Sequence, residues 1–262
     1  MFIKRRERNE DCIDHRSFFG TWKRVCKQIP RLYKGLDELW AVARRTERLK
    51  KLEQESPIPV RIFDGDLNRD YIYERIGKEL EKQSADIRML VNAAGFGKMG
   101  KFEDIPLADQ LSMVDLNCRG LTKMTGICLP YLSRGSRILN VASAAAFSPQ
   151  PGFAVYAAGK AYVYRFSTAL RTELVSRGIM VTAVCPGPVD TEFFQVSGEL
   201  PGAFKSGFRK TAPEVVKTAL RDAVRGRAVS VCGGSMKAAR LGAKMVPEPL
   251  LAYLMGRANQ IR

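Results

Sequence analysis

Ser143–Lys160, SAAAFSPQPGFAVYAAGK, is the stretch on which the reading of this chain turns. Its second half opens a long helix, Tyr156–Ser176, and sets Tyr156 and Lys160 four residues apart on one helical face. Its first half follows a short apolar strand, Arg137–Val141, and Ser143 stands where that strand ends, thirteen residues before the tyrosine. A hydroxyl, a phenol and an ammonium are thus gathered around one strand-to-helix crossing.

The same alternation runs outward in both directions. Upstream, Leu39–Ala43 (LWAVA) is an apolar run and Thr46–Glu55 a helix whose exit is punctuated by Pro57 and Pro59. Val60–Phe63 is strand-like, Asp64-Gly65-Asp66 turns the chain, and Tyr71–Lys82 is helical. Ile87–Val91 is a buried strand running into Asn92-Ala-Ala-Gly95, and residues 104–132 read as one long helix with Asn117 at its middle. Downstream, Met180–Val184 is a strand that stops at Cys185-Pro-Gly-Pro188. A looser segment, 190–210, precedes a helix over 213–225 and a last strand at 228–232. Continuous apolar strands, each separated by a helix, predict an α/β fold: a doubly wound, Rossmann-like parallel sheet covered on both faces. Ligands of such sheets sit at the carboxyl ends of the strands. Asn92, Ser143 and Pro186-Gly187 all fall there.

Composition sets the outer limits. With 262 residues, 45% hydrophobic and 27% charged, the chain is globular and long enough for one large domain, which excludes a disordered, collagen-like or coiled-coil protein. No apolar run approaches the roughly 20 residues of a membrane span, and MFIKRRERNEDC lacks the apolar core of a secretory signal. Six cysteines lie far apart with no CxxC pair, and His15 is the single histidine. That pattern argues against zinc and for a reduced, cytoplasmic protein with no metal site. The net charge of +16 is spread along the chain without basic–aromatic interleaving, so it reads as a solvated face rather than a nucleic-acid interface. Ser235–Arg262 mixes Leu, Met and Tyr with Lys237, Arg240, Lys244 and Arg257. Packing against the domain is the expectation there, since Pro247 and Pro249 interrupt any long helix; a peripheral contact with an anionic membrane is the alternative.

The chemistry that suits Ser143, Tyr156 and Lys160 is carbonyl reduction, or alcohol oxidation in reverse. A phenol with a pKa of about 10 is a poor acid–base at neutral pH. A neighbouring ammonium favours the phenolate and moves it toward the working range. Ser143 can donate a hydrogen bond to a substrate oxygen as charge develops on it. A cofactor has to supply the hydride, since no side chain carries one.

With Asn92–Gly95, Asn117, Ser143, Tyr156/Lys160 and Pro186-Gly187 in this order, residues 36–232 resemble the short-chain dehydrogenase/reductase family. The resemblance implies that Tyr156 is the general acid, that Lys160 also holds the nicotinamide ribose, and that Asn117 supports a proton-relay water. It implies that Asn92, Ala93, Ala94 and Gly95 flank the cofactor and stabilise the central sheet. Asp66 and Leu67 would contact the adenine, and Pro186, Gly187, Val189 and Thr191 would line the nicotinamide side. Arg44 and Arg45 close the second strand of the family pattern. An acidic residue there would bind a ribose 2′-hydroxyl, whereas arginine suits a 2′-phosphate, so NADP(H) is favoured over NAD(H). Family members commonly form homodimers or homotetramers through the two long helices, and the phenylalanines of 193–208 suit an apolar substrate.

One part of the family pattern is absent. The family has a first strand followed by TGxxxGxG, whose glycines let the backbone approach a pyrophosphate at a helix N-terminus, and residues 1–35 contain no such motif. Asp14–Cys26 (DHRSFFGTWKRVC) can be back-translated with synonymous codons that, read one base later, spell ITGASSGLGREFV, and Asn9–Ile13 in the same shifted frame can read MKIAL. The glycines of the shifted motif require G at the middle base of the codons for Arg16, Gly20 and Trp22; all three supply it, and tryptophan's single codon forces the last. One base missing near the codons for Cys26 and Lys27 restores the observed frame. The division expected is therefore an aberrant segment, 1–35, frame-shifted to about residue 26, and a reductase domain, 36–262. His15, Trp22, Cys12 and Cys26 would then carry no functional weight. The expected activity is NADP(H)-dependent interconversion of a small-molecule carbonyl and a secondary alcohol. The alternative is a non-catalytic or inactive protein of the same fold that lacks its phosphate loop.

Overall fold

The computed structural model describes residues 2–3, 29, 33, 36–189 and 210–261. The strands are β1 Phe2–Ile3, β2 Leu39–Ala43, β3 Val60–Asp64, β4 Ile87–Asn92, β5 Leu132–Val141, β6 Met180–Val184 and β7 Val229–Ser230. The helices are α1 Thr46–Glu55, α2 Asp70–Lys82, α3 Leu107–Val114, α4 Leu121–Cys128, α5 Ala154–Leu174, α6 Ala212–Val224, α7 Gly234–Met245 and α8 Glu248–Ala258. All five residues of β2 are buried, as in a strand covered on both faces. Trp40 and Phe63 pack ring to ring across β2 and β3, with centroids 5.1 Å apart. The apolar stripe Ile72, Ile76 and Leu80 seats α2 on the core. Thr211 and Glu214 close a reciprocal cap at the start of α6.

Every pairing except that of β1 is parallel, and helices separate the strands in the expected α/β manner. The sheet is divided, however, into β1–β2–β3 and β4–β5–β6–β7. β1 pairs antiparallel with Leu39 and Trp40 and also lies beside β4. The N-terminal segment, expected to furnish no strand, thus contributes two residues of one, in the opposite sense to its neighbours. Its length and direction leave the two halves as separate sheets among the described residues.

The helix expected over 104–132 is a separate short turn and then, from 107 to 131, a continuous helical run of four segments. A short 3-10 turn, Phe102–Asp104, precedes α3; a π-helical turn, Asp115–Gly120, joins α3 to α4; and a 3-10 turn, Leu129–Tyr131, ends at β5. β5 begins at Leu132 rather than Arg137. The polar SRGS that hides its start bends through Gly135 at a positive φ of 89°, a conformation cheap for glycine alone. In the tail, Pro247 separates α7 from α8. Met236 and Gly256 are buried, while Leu241, Met245, Leu250, Tyr253 and Leu254 are exposed. No helix among the described residues is long and apolar enough to cross a membrane.

Candidate active site

The site is assembled at the carboxyl ends of three adjacent parallel strands. Asn92 of β4 is in register with Asn140 of β5, and Val141 of β5 with Val184 of β6, so the loops leaving all three emerge on one edge. Two of those loops are tied together where the Ala144 N–H donates to the Pro186 carbonyl at 2.8 Å. Below them, Asn92 Nδ2 donates to Thr125 Oγ1 at 3.0 Å and to Asn140 Oδ1 at 2.9 Å. Asn140 Nδ2 reaches Ser167 Oγ at 3.0 Å. This buried, mutually satisfied chain locks β4, β5, α4 and α5; Thr125, Asn140 and Ser167 are members the sequence did not single out.

Tyr156 and Lys160 project from the first turns of α5, and both are buried, at 4% and 2% exposed. Lys160 Nζ donates to the Val141 carbonyl at 2.8 Å and lies 5.7 Å from the Tyr156 ring centroid. Burial brings the lysine's pKa down to about 8, against smaller upward pulls from Cys118 and Cys185. Burial also pushes the Tyr156 phenol above its ordinary range, and a hydrogen bond with Ser143 opposes it. The ammonium was expected to draw the phenol down. In this structure desolvation dominates and Ser143 supplies the opposing pull. Ser143 Oγ also accepts from the Ala145 N–H at 3.2 Å. Phe153, not anticipated from sequence, stacks on Tyr156 with centroids 4.2 Å apart.

Asn117 arrives from the π-helical turn, a widening found often at functional sites. Its Oδ1 accepts from the Phe96 N–H at 3.1 Å and its Nδ2 donates to the Phe96 carbonyl at 2.9 Å. The side chain thereby clamps the strand-end loop carrying Ala93, Ala94 and Gly95. At Gly95 a Cβ would stand 2.6 Å from Asn117 Oδ1 and 3.1 Å from Lys160 Nζ. At Gly97 a Cβ would meet Phe153 and Tyr156 at 2.7 Å. Glycine at both positions lets these side chains pack directly against the loop backbone.

The residues expected at the adenosine end lie across β2 and β3. Arg44 Nη1 meets Asp66 Oδ2 at 3.1 Å, and Arg45 flanks the start of α1. Asp66 Oδ1 also accepts from the Asn68 N–H, and Leu67 is buried with its carbonyl accepting from Tyr73. The nicotinamide-ribose end fits a bound dinucleotide in its donor: the Lys160 ammonium stands against the Gly95 loop, whose glycine admits it and Asn117 close to the backbone. The pyrophosphate end does not match, since no glycine-rich turn exists in the sequence and residues 4–28 lie outside those described. Val189 bridges to Lys210. Thr191, the 193–208 phenylalanines, His15, Trp22, Cys12 and Cys26 also lie outside the described residues.

In front of Ser143 and Tyr156 opens a cavity of about 320 Å³. Gly187 sits at its edge, close against Met236. The tail helices α7 and α8 build one wall, through Met236, Ala239, Ala243, Leu251, Met255 and Asn259. Sequence reasoning placed none of these at the site. The signal available was the tail's mixture of small and apolar residues, which fits any packed helix pair.

The sequence pattern of the family described as short chain dehydrogenase matches residues 29–200. Sulfoacetaldehyde reductase 2 of Chromohalobacter salexigens is 36% identical over 177 residues, covering 65% of this chain and 70% of that protein. A very-long-chain 3-oxoacyl-CoA reductase of Anas platyrhynchos is 32% identical over 206 residues, 74% of this chain and 62% of that one. In three dimensions the chain superposes on a short-chain dehydrogenase of Sphingobium yanoikuyae in complex with NADPH. The TM-score is 0.72 at 24% identity, over 90% of this chain and 93% of the other.

Proposed function

From the chain's membership of the short-chain dehydrogenase family of oxidoreductases, we propose an NADP(H)-dependent enzyme that interconverts a carbonyl and a secondary alcohol, with Tyr156 as general acid–base. The observation that carries this reading is the convergence of Ser143, Tyr156, Lys160 and the Asn117-clamped Gly95 loop at one mouth. A bound nicotinamide would supply the hydride. Tyr156 donates its phenolic proton to the substrate oxygen in reduction and accepts it back in oxidation. Ser143 Oγ donates a hydrogen bond to the same oxygen, where its stabilisation grows with developing charge. Lys160, with its lowered pKa, restores the tyrosine's proton near neutral pH and holds the nicotinamide ribose. Asn117 fixes the loop and supports the relay water. Asn92–Gly95 flank the cofactor, Asp66 and Leu67 contact its adenine, and Pro186, Gly187, Val189 and Thr191 line its nicotinamide side.

Arg44 and Arg45 favour NADP(H), a preference supported by their place at the end of β2 and by the absence of a carboxylate at those positions. The NADPH-bound relative of the fold is consistent with it. A cytoplasmic homodimer or homotetramer belongs to the same reading. Its support is the exposure of Leu107, Leu111, Val114 and Tyr162 on the helices that would pair.

We also infer that residues 1–35 are aberrant and that Asn9–Cys26 is a frame-shifted reading of MKIALITGASSGLGREFV. Support comes from the glycine forced by the Trp22 codon, from the fixed middle G at Arg16 and Gly20, and from a family match that starts at residue 29, directly beyond the shifted stretch. A second reading, a chain of this fold without turnover, rests on that same missing loop. Sequencing the gene tests the frame. The written chain and the chain carrying MKIALITGASSGLGREFV should then be titrated with NADPH by fluorescence. The repaired chain is expected to bind and to oxidise NADPH with a suitable ketone, and Tyr156→Phe to lose most turnover while retaining cofactor affinity. Equal binding by the two chains would overturn the frame reading, and undiminished turnover in Tyr156→Phe the acid assignment.

A further inference from the structure

The cavity before Tyr156 lies at the lower end of the roughly 300–1,000 Å³ of pockets that take drug-sized molecules. Its walls are chiefly Met99, Phe147, Phe153, Met236, Leu251 and Met255. The polar side chains at the end away from Ser143 and Tyr156 are already engaged with the protein. Gln150 Nε2 donates to Ser148 Oγ at 2.8 Å, and Asn259 Nδ2 donates to the Pro151 carbonyl at 2.8 Å and to Gln150 Oε1 at 3.3 Å. Among the described lining residues there is no Lys, Arg, His, Asp or Glu. The cations of α7 lie on its adjoining flank, where Arg240 stands over Phe147 with its Cζ 5.8 Å from the ring centre. Lys237, Arg240 and Lys244 line a separate hollow with Arg227 and Asp222, while Met236, Ala239 and Ala243 of the same helix face the cavity. A charged substituent entering the cavity would shed its water and meet no opposite charge among the described lining residues, a costly transfer. A hydrocarbon would find an apolar wall.

On the reductase reading above, we infer that the substrate is an uncharged ketone bearing a long or bulky hydrocarbon group, selected by the wall that α7 and α8 provide. Ser143 and Tyr156 address the carbonyl oxygen, and the rest of the molecule is recognised by burial alone.

Calorimetric titration of the full chain with 2-heptanone through 2-undecanone, with NADPH present and absent, tests this. Affinity should rise about fourfold per added methylene, the fold-change of the ~0.8 kcal/mol of a buried CH₂, until the cavity is full. The anionic 7-oxooctanoate should bind far more weakly than 2-octanone. Ala243→Phe should shorten the series by filling the wall, and Met255→Lys should flatten it and admit the oxo acid. A flat series in both conditions, or preference for the oxo acid in the unaltered chain, overturns the inference. So does an unchanged series in both variants, and melting curves identify a variant that has merely unfolded. Turnover is read separately. In the chain carrying MKIALITGASSGLGREFV, a chain-length gradient without turnover sinks the reductase reading and leaves the substrate class standing; turnover with a flat gradient does the reverse.

Discussion

Replacing Lys160 by methionine isolates the electrostatic cost of burying its ammonium. The side chain is 2% exposed and its pKa falls to about 8, whereas an unfolded lysine titrates near 10.4. Below about pH 8 both states carry the proton, and the folded state bears the full penalty of a desolvated charge. Between about 8 and 10.4 the unfolded state binds more proton than the folded one, so stability rises with pH. Above that window both states are neutral and the penalty is gone. Integrated across the window, the gain is roughly 3 kcal/mol. Lys160→Met keeps the length of the stem but has nothing to titrate. It also loses the bond to the Val141 carbonyl, a loss that shifts its curve without adding pH dependence. Urea unfolding of both proteins at pH 7.5 and 10.5 should therefore show the native chain gaining roughly 3 kcal/mol on the variant at the higher pH. Taking the difference cancels the titration of groups that do not feel Lys160; Cys118 and Cys185, which do, contribute smaller changes. Parallel stability curves across that range would refute the reasoning, because they would mean that Lys160 has the same pKa folded and unfolded.

Gly95→Ala should destabilise by about 1–3 kcal/mol and depress turnover, because the new methyl collides with the Asn117 amide that clamps Phe96. Urea titration and a turnover assay check it, and unchanged values in both would mean that the clamp yields freely. Asn92→Ala should cost about 1–3 kcal/mol by leaving Asn140 Oδ1 short of its donor; thermal unfolding measures this, and a loss below about 0.5 kcal/mol would show that the buried chain re-pairs. Replacing Arg44 and Arg45 together by alanine should raise the NADPH dissociation constant of the repaired chain roughly tenfold or more, each charge-assisted bond contributing about 1.5–3 kcal/mol. NADH binding should move much less, and equal losses for the two cofactors would show that the arginines do not read the phosphate.

The parts of the fold legible in the sequence are those governed by local pattern. Leu39–Ala43, Thr46–Glu55 and Met180–Val184 were readable to the residue because apolar runs and helix stops coincide there. The start of β5 was not, because Ser133–Ser136 reads as loop and is held in the strand by its neighbours: Ser136 Oγ donates to the Ile87 carbonyl at 2.7 Å. The wide turn at Asp115–Gly120 was also invisible. A π turn and an α turn draw on the same residue types and differ only in which carbonyl each N–H meets. Ser143, Tyr156 and Lys160 could be placed together because parallel topology sends adjacent strand ends to one edge. The role of α7 and α8 in walling the cavity could not be foreseen, since nothing in Gly234–Ala258 encodes which surface its apolar side meets.

The wide turn at Asn117 has a consequence for how this chain tolerates length changes. A turn closed by i→i+5 bonds holds one residue more than its α-helical counterpart. Deleting one residue within Asp115–Gly120 could be absorbed by letting α3 run into α4 as ordinary helix, with each backbone N–H still matched to a carbonyl. The helices on either side would keep their facing, because the wide turn is what had taken up the extra residue. Inside the tightened turn, however, Asn117 no longer stands where it meets both the Phe96 N–H and carbonyl. The segment would stay helical while the loop lost its clamp, so architecture and chemistry come apart here through a deletion that no scan of single substitutions would reveal.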